Sequence, residues 1–402
     1  MSCLQGKAVA LVVTGGIAAY KSAELSRMLI NEGAGVRAAM TDSATRFITP
    51  LTFETLTQEP VATDLWSTTH PAEVSHISLA DWAEAVVIAP ATANIIGKMA
   101  GGVADDFVST FLLAVRAPVL ICPAMNVNMF ENPIVRDNLT RLQKHGYRVM
   151  EPGAGFLACG WEGKGRLPEP VDILEEIRMI LSPQDMNGLK VMVTSGPTRE
   201  PWDDIRFMTN RSTGRMGLAL ARTARQRGAE VILVTGPVNS RPPYGVETIP
   251  VESTLDMREA VRDNLGRVDV LVKAAAPADF RPARRVEGKI KKTEKPSPIE
   301  LTRNPDILAE IGAQKGDKIL VGFAAESENL IENAKAKLKA KNLDMIVANQ
   351  IGAPGAAFGT ATNQVSIVFR DGKVEALPLL DKEDVADRIW DRIAPLTGRS
   401  KA

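Results

Sequence analysis

The sequence predicts an α/β protein made of two Rossmann-like parallel-sheet domains, and three observations carry that prediction. Twice, an apolar strand-like run leads into a Thr/Ser-Gly turn and then a helix, over Val9–Lys21 and again from Val191–Thr198. After each start a Gly-Ala pair introduces another strand, at Gly33–Met40 and Gly228–Val234, the alternation of βαβ units. The chain has 402 residues, more than one domain of roughly 100–200 residues holds.

In the first half, runs Ala8–Val13, Val36–Met40, Ala85–Ala89 and Val119–Cys122 read as strands, with helical patterns at Ala18–Asn31, Val103–Val115 and Val171–Leu181. The polar Ser182–Gly188 stretch carries a Pro and a Gly and sets the domain boundary, giving domains 1–187 and 188–402. In the second half Lys190–Thr194, Glu230–Val234, Val268–Val272, Lys318–Phe323 and Met345–Ala348 read as strands of a doubly wound parallel sheet. Gln364–Phe369, a turn at Asp371–Gly372 and Val374–Leu377 predict a terminal hairpin.

Composition excludes several classes. Lys+Arg and Asp+Glu both number 48, so no global field draws nucleic acid or an anionic membrane. Hydrophobic content of 45% with 24% charged residues describes a globular protein, and no run approaches the roughly 18 apolar residues of a membrane span. A cytoplasmic protein is expected. The three cysteines, Cys3, Cys122 and Cys159, lack CxxC spacing, and the three histidines, His70, His76 and His145, leave little for a zinc site.

Glycine turns at strand ends bring backbone N–H groups and a helix start close to an anion, which makes Gly15, Gly16 and Ile17 candidates for a phosphate. Cys159 lies in Gly-Ala-Gly-Phe-Leu-Ala-Cys-Gly-Trp, too polar and breaker-laden for core, so its thiol is placed to exchange a proton rather than to pack. His76 reads equally as a structural hydrogen-bonding group or a proton carrier. Asn126 follows a strand end and can donate an amide N–H to a carboxylate or oxyanion.

Taken together, Val12–Lys21, the Ala-Pro-Ala-Thr-Ala-Asn run at Ala89–Asn94, Gly102-Val-Ala-Asp-Asp106, Pro123-Ala-Met-Asn126 and the Ala158–Gly160 flap resemble the flavin-dependent cysteine decarboxylases that act on phosphopantothenoylcysteine. The resemblance covers nearly all of residues 6–180. It implies FMN, with its phosphate near Gly15, Gly16 and Ile17 and its ring near Pro90, Ala91, Thr92 and Asn94. It also implies that His76 assists oxidation, Asn126 binds the substrate carboxylate and Cys159 supplies a proton.

The second start has neither a dinucleotide nor a Walker glycine spacing. Ser212, Thr213 and Gly214 open a long helix at Met216–Gln226, either as a plain cap by Ser212 or as a phosphate site. The basic Arg281–Ile299 segment, with Lys289, Lys291, Lys292 and Lys295, reads as a solvated loop or as a basic flap over a triphosphate. Asn210–Gly217, Ala274–Phe280, Lys289–Lys292, Asn304–Ile307 and Gly322–Glu326 resemble bacterial phosphopantothenate-cysteine ligases across roughly residues 188–400.

That likeness implies that CTP activates 4′-phosphopantothenate as an acyl-cytidylate and that L-cysteine displaces CMP, giving 4′-phosphopantothenoylcysteine. It carries Asn210 to the acyl-cytidylate and Lys289 to the developing charge. Ala275, Asp279, Pro305, Asp306, Ile307, Leu308, Phe323, Lys337 and Lys341 go to the nucleotide, with Mg²⁺ on its phosphates. Thr213 and Arg215 stand where Ser and Lys are usual, and Pro277 replaces a usual Val, removing an N–H from a nucleotide-facing turn.

The whole chain thus resembles the bifunctional decarboxylase–ligase fusions of coenzyme A biosynthesis. Those assemble as decarboxylase trimers and ligase dimers, which implies a dodecamer. A flavin-bearing regulatory module would need none of Cys159, His76 and Asn126. An NAD(P)-linked oxidoreductase would want a GxGxxG turn that neither start has.

Overall fold

The computed structural model describes residues 3–66, 75–156, 160–291, 298–326, 328–350 and 359–398. They divide into two compact units, Met1–Ser182 and Pro183–Ala402.

The first unit runs β1 (Ala8–Val13), α1 (Tyr20–Asn31), β2 (Gly35–Met40), α2 (Asp42–Thr45), α3 (Pro50–Thr57), α4 (Ser75–Trp82), β3 (Ala85–Ala91), α5 (Ala93–Gly101) and α6 (Phe107–Ala114). It continues with β4 (Val119–Pro123), α7 (Val127–Glu131), α8 (Pro133–Lys144), β5 (Arg148–Val149), the ribbon β6 (Gly153–Phe156) and β7 (Glu162–Arg166), and α9 (Pro170–Leu181). The five-stranded sheet has the order β2-β1-β3-β4-β5, all parallel. Every residue of β3 is buried, the pattern of a strand covered on both faces.

The helix expected over Val103–Val115 starts only at Phe107. Gly102 ends α5 in a left-handed turn, and Asp106 caps α6 in a reciprocal box with Ser109. The two local signals split what periodicity had joined.

The second unit contains β8 (Lys190–Ser195), the hairpin β9 (Arg199–Pro201) and β10 (Phe207–Thr209), α10 (Arg215–Gln226), β11 (Glu230–Thr235), β12 (Glu247–Pro250), α11 (Thr254–Asn264), β13 (Val270–Lys273) and the ribbon β14 (Phe280–Pro282) and β15 (Leu301–Arg303). Then follow α12 (Ile307–Ala313), β16 (Ile319–Glu326), α13 (Leu330–Ala340), β17 (Met345–Gln350), β18 (Thr362–Asn363), β19 (Val365–Phe369), β20 (Val374–Ala376), β21 (Leu380–Asp381) and α14 (Lys382–Ile393). Its eight-stranded sheet has the order β12-β11-β8-β13-β16-β17-β19-β20. The expected hairpin is β19–β20, and it extends the sheet antiparallel to β17, so the sheet is mixed at that edge.

No helix follows β8 directly, contrary to the reading of Val191–Thr198 as a strand-turn-helix start. Pro197 and Pro201 cannot donate to a helical ladder, and the chain pairs as the β9–β10 hairpin before α10 begins at Arg215. One core packs α10 and α14 against the sheet, with fully buried Trp390 donating Nε1–H to the Leu220 carbonyl at 3.0 Å. The other face gathers α11, α12 and α13.

Arg227, 7% exposed, donates to Asp185, Asp387 and Asp391 at 2.6–3.0 Å, and its carbonyl accepts from Met186 N–H. Among the described residues no helix is long and apolar enough to cross a membrane.

Candidate functional site

In a doubly wound sheet the crevice opens at the carboxyl ends of strands, where the chain order reverses. In the first unit the reversal lies between β1 and β3, and there the structure has a cleft of about 840 Å³. Gly15, Gly16 and Ile17 line it after β1, Pro90, Thr92 and Asn94 at the end of β3, and Asn126 after β4. Ala91 is fully buried in β3 beneath them.

The walls are braced from within. Thr14 Oγ1 donates to the Pro90 carbonyl at 2.7 Å and accepts from Thr92 N–H at 3.1 Å, and Ser22 Oγ donates to the Ala89 carbonyl. Gly16 precedes the first helical turn with no side-chain cap, which leaves the leading N–H groups without a side-chain partner. A Cβ on Gly15 would lie 2.4 Å from Ser43 Cβ, so only glycine permits this approach of the two loops. Asn126 caps α7, its Oδ1 accepting from Asn128 N–H at 2.8 Å, which fixes the way the amide faces.

Lys98 and Asp106 also line the cleft and pair at 2.6 Å, with Asp105 on the same ammonium. Burial works to raise the Asp106 carboxyl. The Lys98 and Ser109 bonds outweigh it and hold the group below its ordinary value. Sequence reading noted Asp106 only as part of a motif and passed over Lys98.

His76 sits in the first turn of α4, partly exposed and not among the residues lining the cleft. Cys159 falls outside the described residues, between β6 and β7. Cys122 is fully buried beside Met150 Sδ, and burial pushes its thiol far above the ordinary range, which makes it inert.

In the second unit, polar bonds assemble a turn at the end of β13. Asn210 Nδ2 donates to the Ala276 and Pro277 carbonyls, both at 3.0 Å. Ala275 N–H reaches Thr194 Oγ1 at 3.1 Å, Ala276 N–H reaches the Gly196 carbonyl at 2.9 Å and Ala278 N–H reaches Thr198 Oγ1 at 3.0 Å. The N–H that Pro277 lacks leaves no gap, because both neighbouring N–H groups are paired and its carbonyl is held. Glu200, 1% exposed, accepts from Thr198 and Thr254 below this turn.

Asn304 ties the next loop in, donating Nδ2–H to the Ala278 carbonyl and N–H to that of Asp279. Pro305 follows, Asp306 caps α12 and pairs with Lys341 at 2.8 Å, and Ile307 and Leu308 enter the core. Lys337 pairs with Glu326 at the end of β16. Asn210, Ala275, Asp279, Asp306 and Lys341 are thereby brought together. Phe323 packs on the opposite face of the sheet from Ile307 and Leu308, and Lys289 lies on the exposed loop after β14.

Ser212 does not cap α10. The cap is Gly214 in a left-handed conformation, φ 73°, whose carbonyl accepts from Ser195 Oγ. Among the described residues no group of three or more His, Cys, Asp or Glu could hold a metal ion.

A second lysine also escaped the sequence reading. Lys273 ends β13, partly buried, and its ammonium has no hydrogen bond or ion pair among the described residues. Burial, with the like charge of Lys341, pushes it down to about 8 against the pull of Asp306 and Asp279. A lysine closing an otherwise apolar strand was the available signal.

Comparison with known proteins decides the family. A family model described as Flavoprotein matches residues 1–182, and one described as DNA/pantothenate metabolism flavoprotein C-terminal domain matches residues 186–396. The chain is 48% identical over 398 residues to the coenzyme A biosynthesis bifunctional protein CoaBC of Bacillus subtilis (strain 168), covering 98% of each chain. The chain belongs to the family of bifunctional coenzyme A biosynthesis proteins. A decarboxylase and a ligase activity come with that membership. The protein of the same name from Vibrio cholerae is 42% identical over 396 residues, covering 98% of this chain and 99% of that one. A crystal structure of the C-terminal domain of such a protein is 43% identical with a TM-score of 0.47, over 54% of this chain and 98% of that one.

Proposed function

We propose that residues 188–402 join 4′-phosphopantothenate to L-cysteine at the expense of CTP, and that residues 1–187 decarboxylate the 4′-phosphopantothenoylcysteine formed, releasing 4′-phosphopantetheine. The observation that carries this reading is the near end-to-end match to bifunctional coenzyme A biosynthesis proteins, with a separate polar site in each unit.

The cleft of the first unit fits FMN in size, in its uncapped helix start and in the glycine that lets Ser43 close in. Gly15, Gly16 and Ile17 would hold the phosphate, and Pro90, Ala91, Thr92 and Asn94 the ring side. When bound, FMN supplies reversible two-electron oxidation at the sulfur-bearing carbon, so that loss of CO₂ leaves charge delocalised toward sulfur rather than on a bare carbanion. Asn126 orients the substrate carboxylate by its fixed amide. His76 assists proton removal, and Cys159 returns a proton to the product carbon. Family decarboxylases build this site between subunits, and His76 reaches it across such an interface in a dodecamer of trimers and dimers.

In the second unit, attack on CTP and displacement of CMP both build negative charge on phosphoryl and acyl oxygens. Lys289 meets that charge, Asn210 holds the acyl-cytidylate beside the Ala275–Asp279 turn, and Pro305, Asp306, Ile307, Leu308, Lys337 and Lys341 form the nucleotide side, with Phe323 contributing from β16 on the other face of the sheet. Mg²⁺ rides on the triphosphate, held mainly by phosphates and water. The protein works in the cytoplasm.

The test is direct. Purified protein is yellow and releases FMN on denaturation, and it liberates about one pyrophosphate per site from CTP with 4′-phosphopantothenate alone but turns over repeatedly only when cysteine is also present. Colourless protein that evolves CO₂ at full speed, or pyrophosphate release indifferent to phosphopantothenate, refutes the corresponding half.

A further inference from the structure

The hairpin that interrupts the second βα start joins two of the proposed ligase residues. Its foot ends at Asn210, on the nucleotide turn. Its tip, Trp202–Arg206, grips the loop that carries Lys289. We propose that this tip is a brace that places Lys289 for the ligase reaction, with Asp203 and Asp204 as positioning residues, a proposal that rests on the role of Lys289 given above.

The brace starts as a local fold. Trp202 N–H donates to the Arg206 carbonyl at 2.8 Å, and Asp203 Oδ1 accepts from Ile205 and Arg206 N–H at 2.9 and 2.7 Å, an Asx turn that rigidifies the tip. From this turn the second oxygens reach across the gap. Asp203 Oδ2 accepts from Ile290 N–H at 3.1 Å, and Asp204 Oδ2 accepts from Gly288 N–H at 2.8 Å. Arg206 Nη2 donates to the Ile290 carbonyl at 2.6 Å, and Val286 N–H donates to the Trp202 carbonyl at 3.0 Å. The backbone N–H groups of the residues on both sides of Lys289 are thus fastened.

The charges are arranged so that the brace does not capture what it holds. Asp203, whose side chain is 0% exposed, also meets Arg206 Nε at 3.1 Å, and Asp204 meets Arg285 at 3.0 Å. Burial raises the Asp203 carboxyl, and three backbone N–H bonds outweigh it; the Arg285 and Gly288 bonds lower Asp204. Both carboxylates are spent on backbone and guanidinium groups. Lys289 donates no hydrogen bond and forms no ion pair among the described residues, so its ammonium is left for an anionic reactant. Gly288 has φ +77°, a backbone that side chains rarely adopt, so the bend before Lys289 is set by the chain itself.

Placement errors of about 1 Å cost on the order of 10²-fold in rate. Asp203→Asn keeps an oxygen for the Asx turn and opposes an N–H to Ile290 N–H, while Asp204→Ala removes both outward bonds at an exposed site. The experiment compares single-turnover, CTP-dependent pyrophosphate release by the full-length protein carrying each change, alone and with Lys289→Gln. Calorimetric unfolding of the second unit, unchanged in each variant, controls for its folding, and CO₂ release from supplied phosphopantothenoylcysteine controls for the first unit.

Each single variant is expected to lose tenfold or more, yet less than twofold when added to Lys289→Gln, because the brace acts only through that lysine. Equal losses on both backgrounds, or wild-type rates beside an inactive Lys289→Gln enzyme, overturn the brace alone. A fully active Lys289→Gln enzyme refutes the ligase role of Lys289, and the brace's function falls with it.

Discussion

The first unit passes from β1 to its helix through a bare glycine turn, whereas the second inserts a hairpin between β8 and α10. The first site is a walled cleft shaped by backbone and by hydroxyls buried behind it. The second is a lattice of side-chain bonds that ties three separate loops to one turn. A group that stays bound is served by shape. Reactants that arrive, react and leave in sequence need charges and donors that can be presented one at a time, and a hairpin supplies places to mount them.

The sharpest way to break this contrast is chemical. Cys159→Ser is expected to release CO₂ yet stop with a product two hydrogens lighter than 4′-phosphopantetheine by mass spectrometry, while the ligase rate is unchanged. Multiple turnovers to full product would take the proton-donor role from Cys159.

Next in size is a change of stability confined to one unit. Arg227→Met removes a buried guanidinium and its bonds to Asp185, Asp387 and Asp391, whose carboxylates stay partly or largely hydrated, and losing such charged hydrogen bonds costs about 1.5–3 kcal/mol. Calorimetry is expected to show the ligase transition fall and the flavin-associated one stay. A shift of both transitions contradicts independent units.

Gly15→Val tests the cleft. The new side chain meets Ser43 at 2.4 Å from its Cβ and 2.9 Å from its carbonyl carbon, so backbone must shift at a cost of about 1–3 kcal/mol. Visible absorbance per chain is expected to drop while pyrophosphate release persists, and unchanged flavin content would show that the close approach is dispensable.

The smallest effect is on pH. Burial, with the like charges of Lys341 and Lys337 at the end of α13, pushes Lys273 down to about 8 against Asp306 at the cap of α12 and Asp279 on the turn. An added anion favours the charged form, so a proton is taken up on binding, and CTP affinity weakens as pH rises through that value by up to about tenfold per unit. Lys273→Met is expected to flatten this slope in calorimetric titrations. An identical slope in the variant would place the titrating group elsewhere.

Much of this was legible in the sequence, for reasons that differ by element. β1, β2, β3 and β4 announced themselves as apolar runs, and the parallel order followed from the helices between them. The glycine turn at Gly15 and Gly16 was legible because paired glycines after an apolar run end a strand. The start of α6 was not, since Val103 and Phe107 share a helical period and only the Asp106–Ser109 box separates them. The hairpin after β8 was hidden in a polar stretch whose meaning depends on distant carbonyls, those of Ala276 and Pro277. The Asp203–Asp204 grip on the Lys289 loop escaped for the same reason. Their partners lie far along the chain, and no local pattern records a contact made through folding.

Arg227 has one more implication. A single guanidinium collects Asp185, at the opening of the second unit, and Asp387 and Asp391 on α14, near its close. Beginning and end of that unit therefore meet, the geometry that tolerates circular permutation and splicing at either terminus. A polypeptide so arranged can be fused ahead of, behind or apart from a companion without disturbing its own sheet, which gives gene fusion and fission a structural licence.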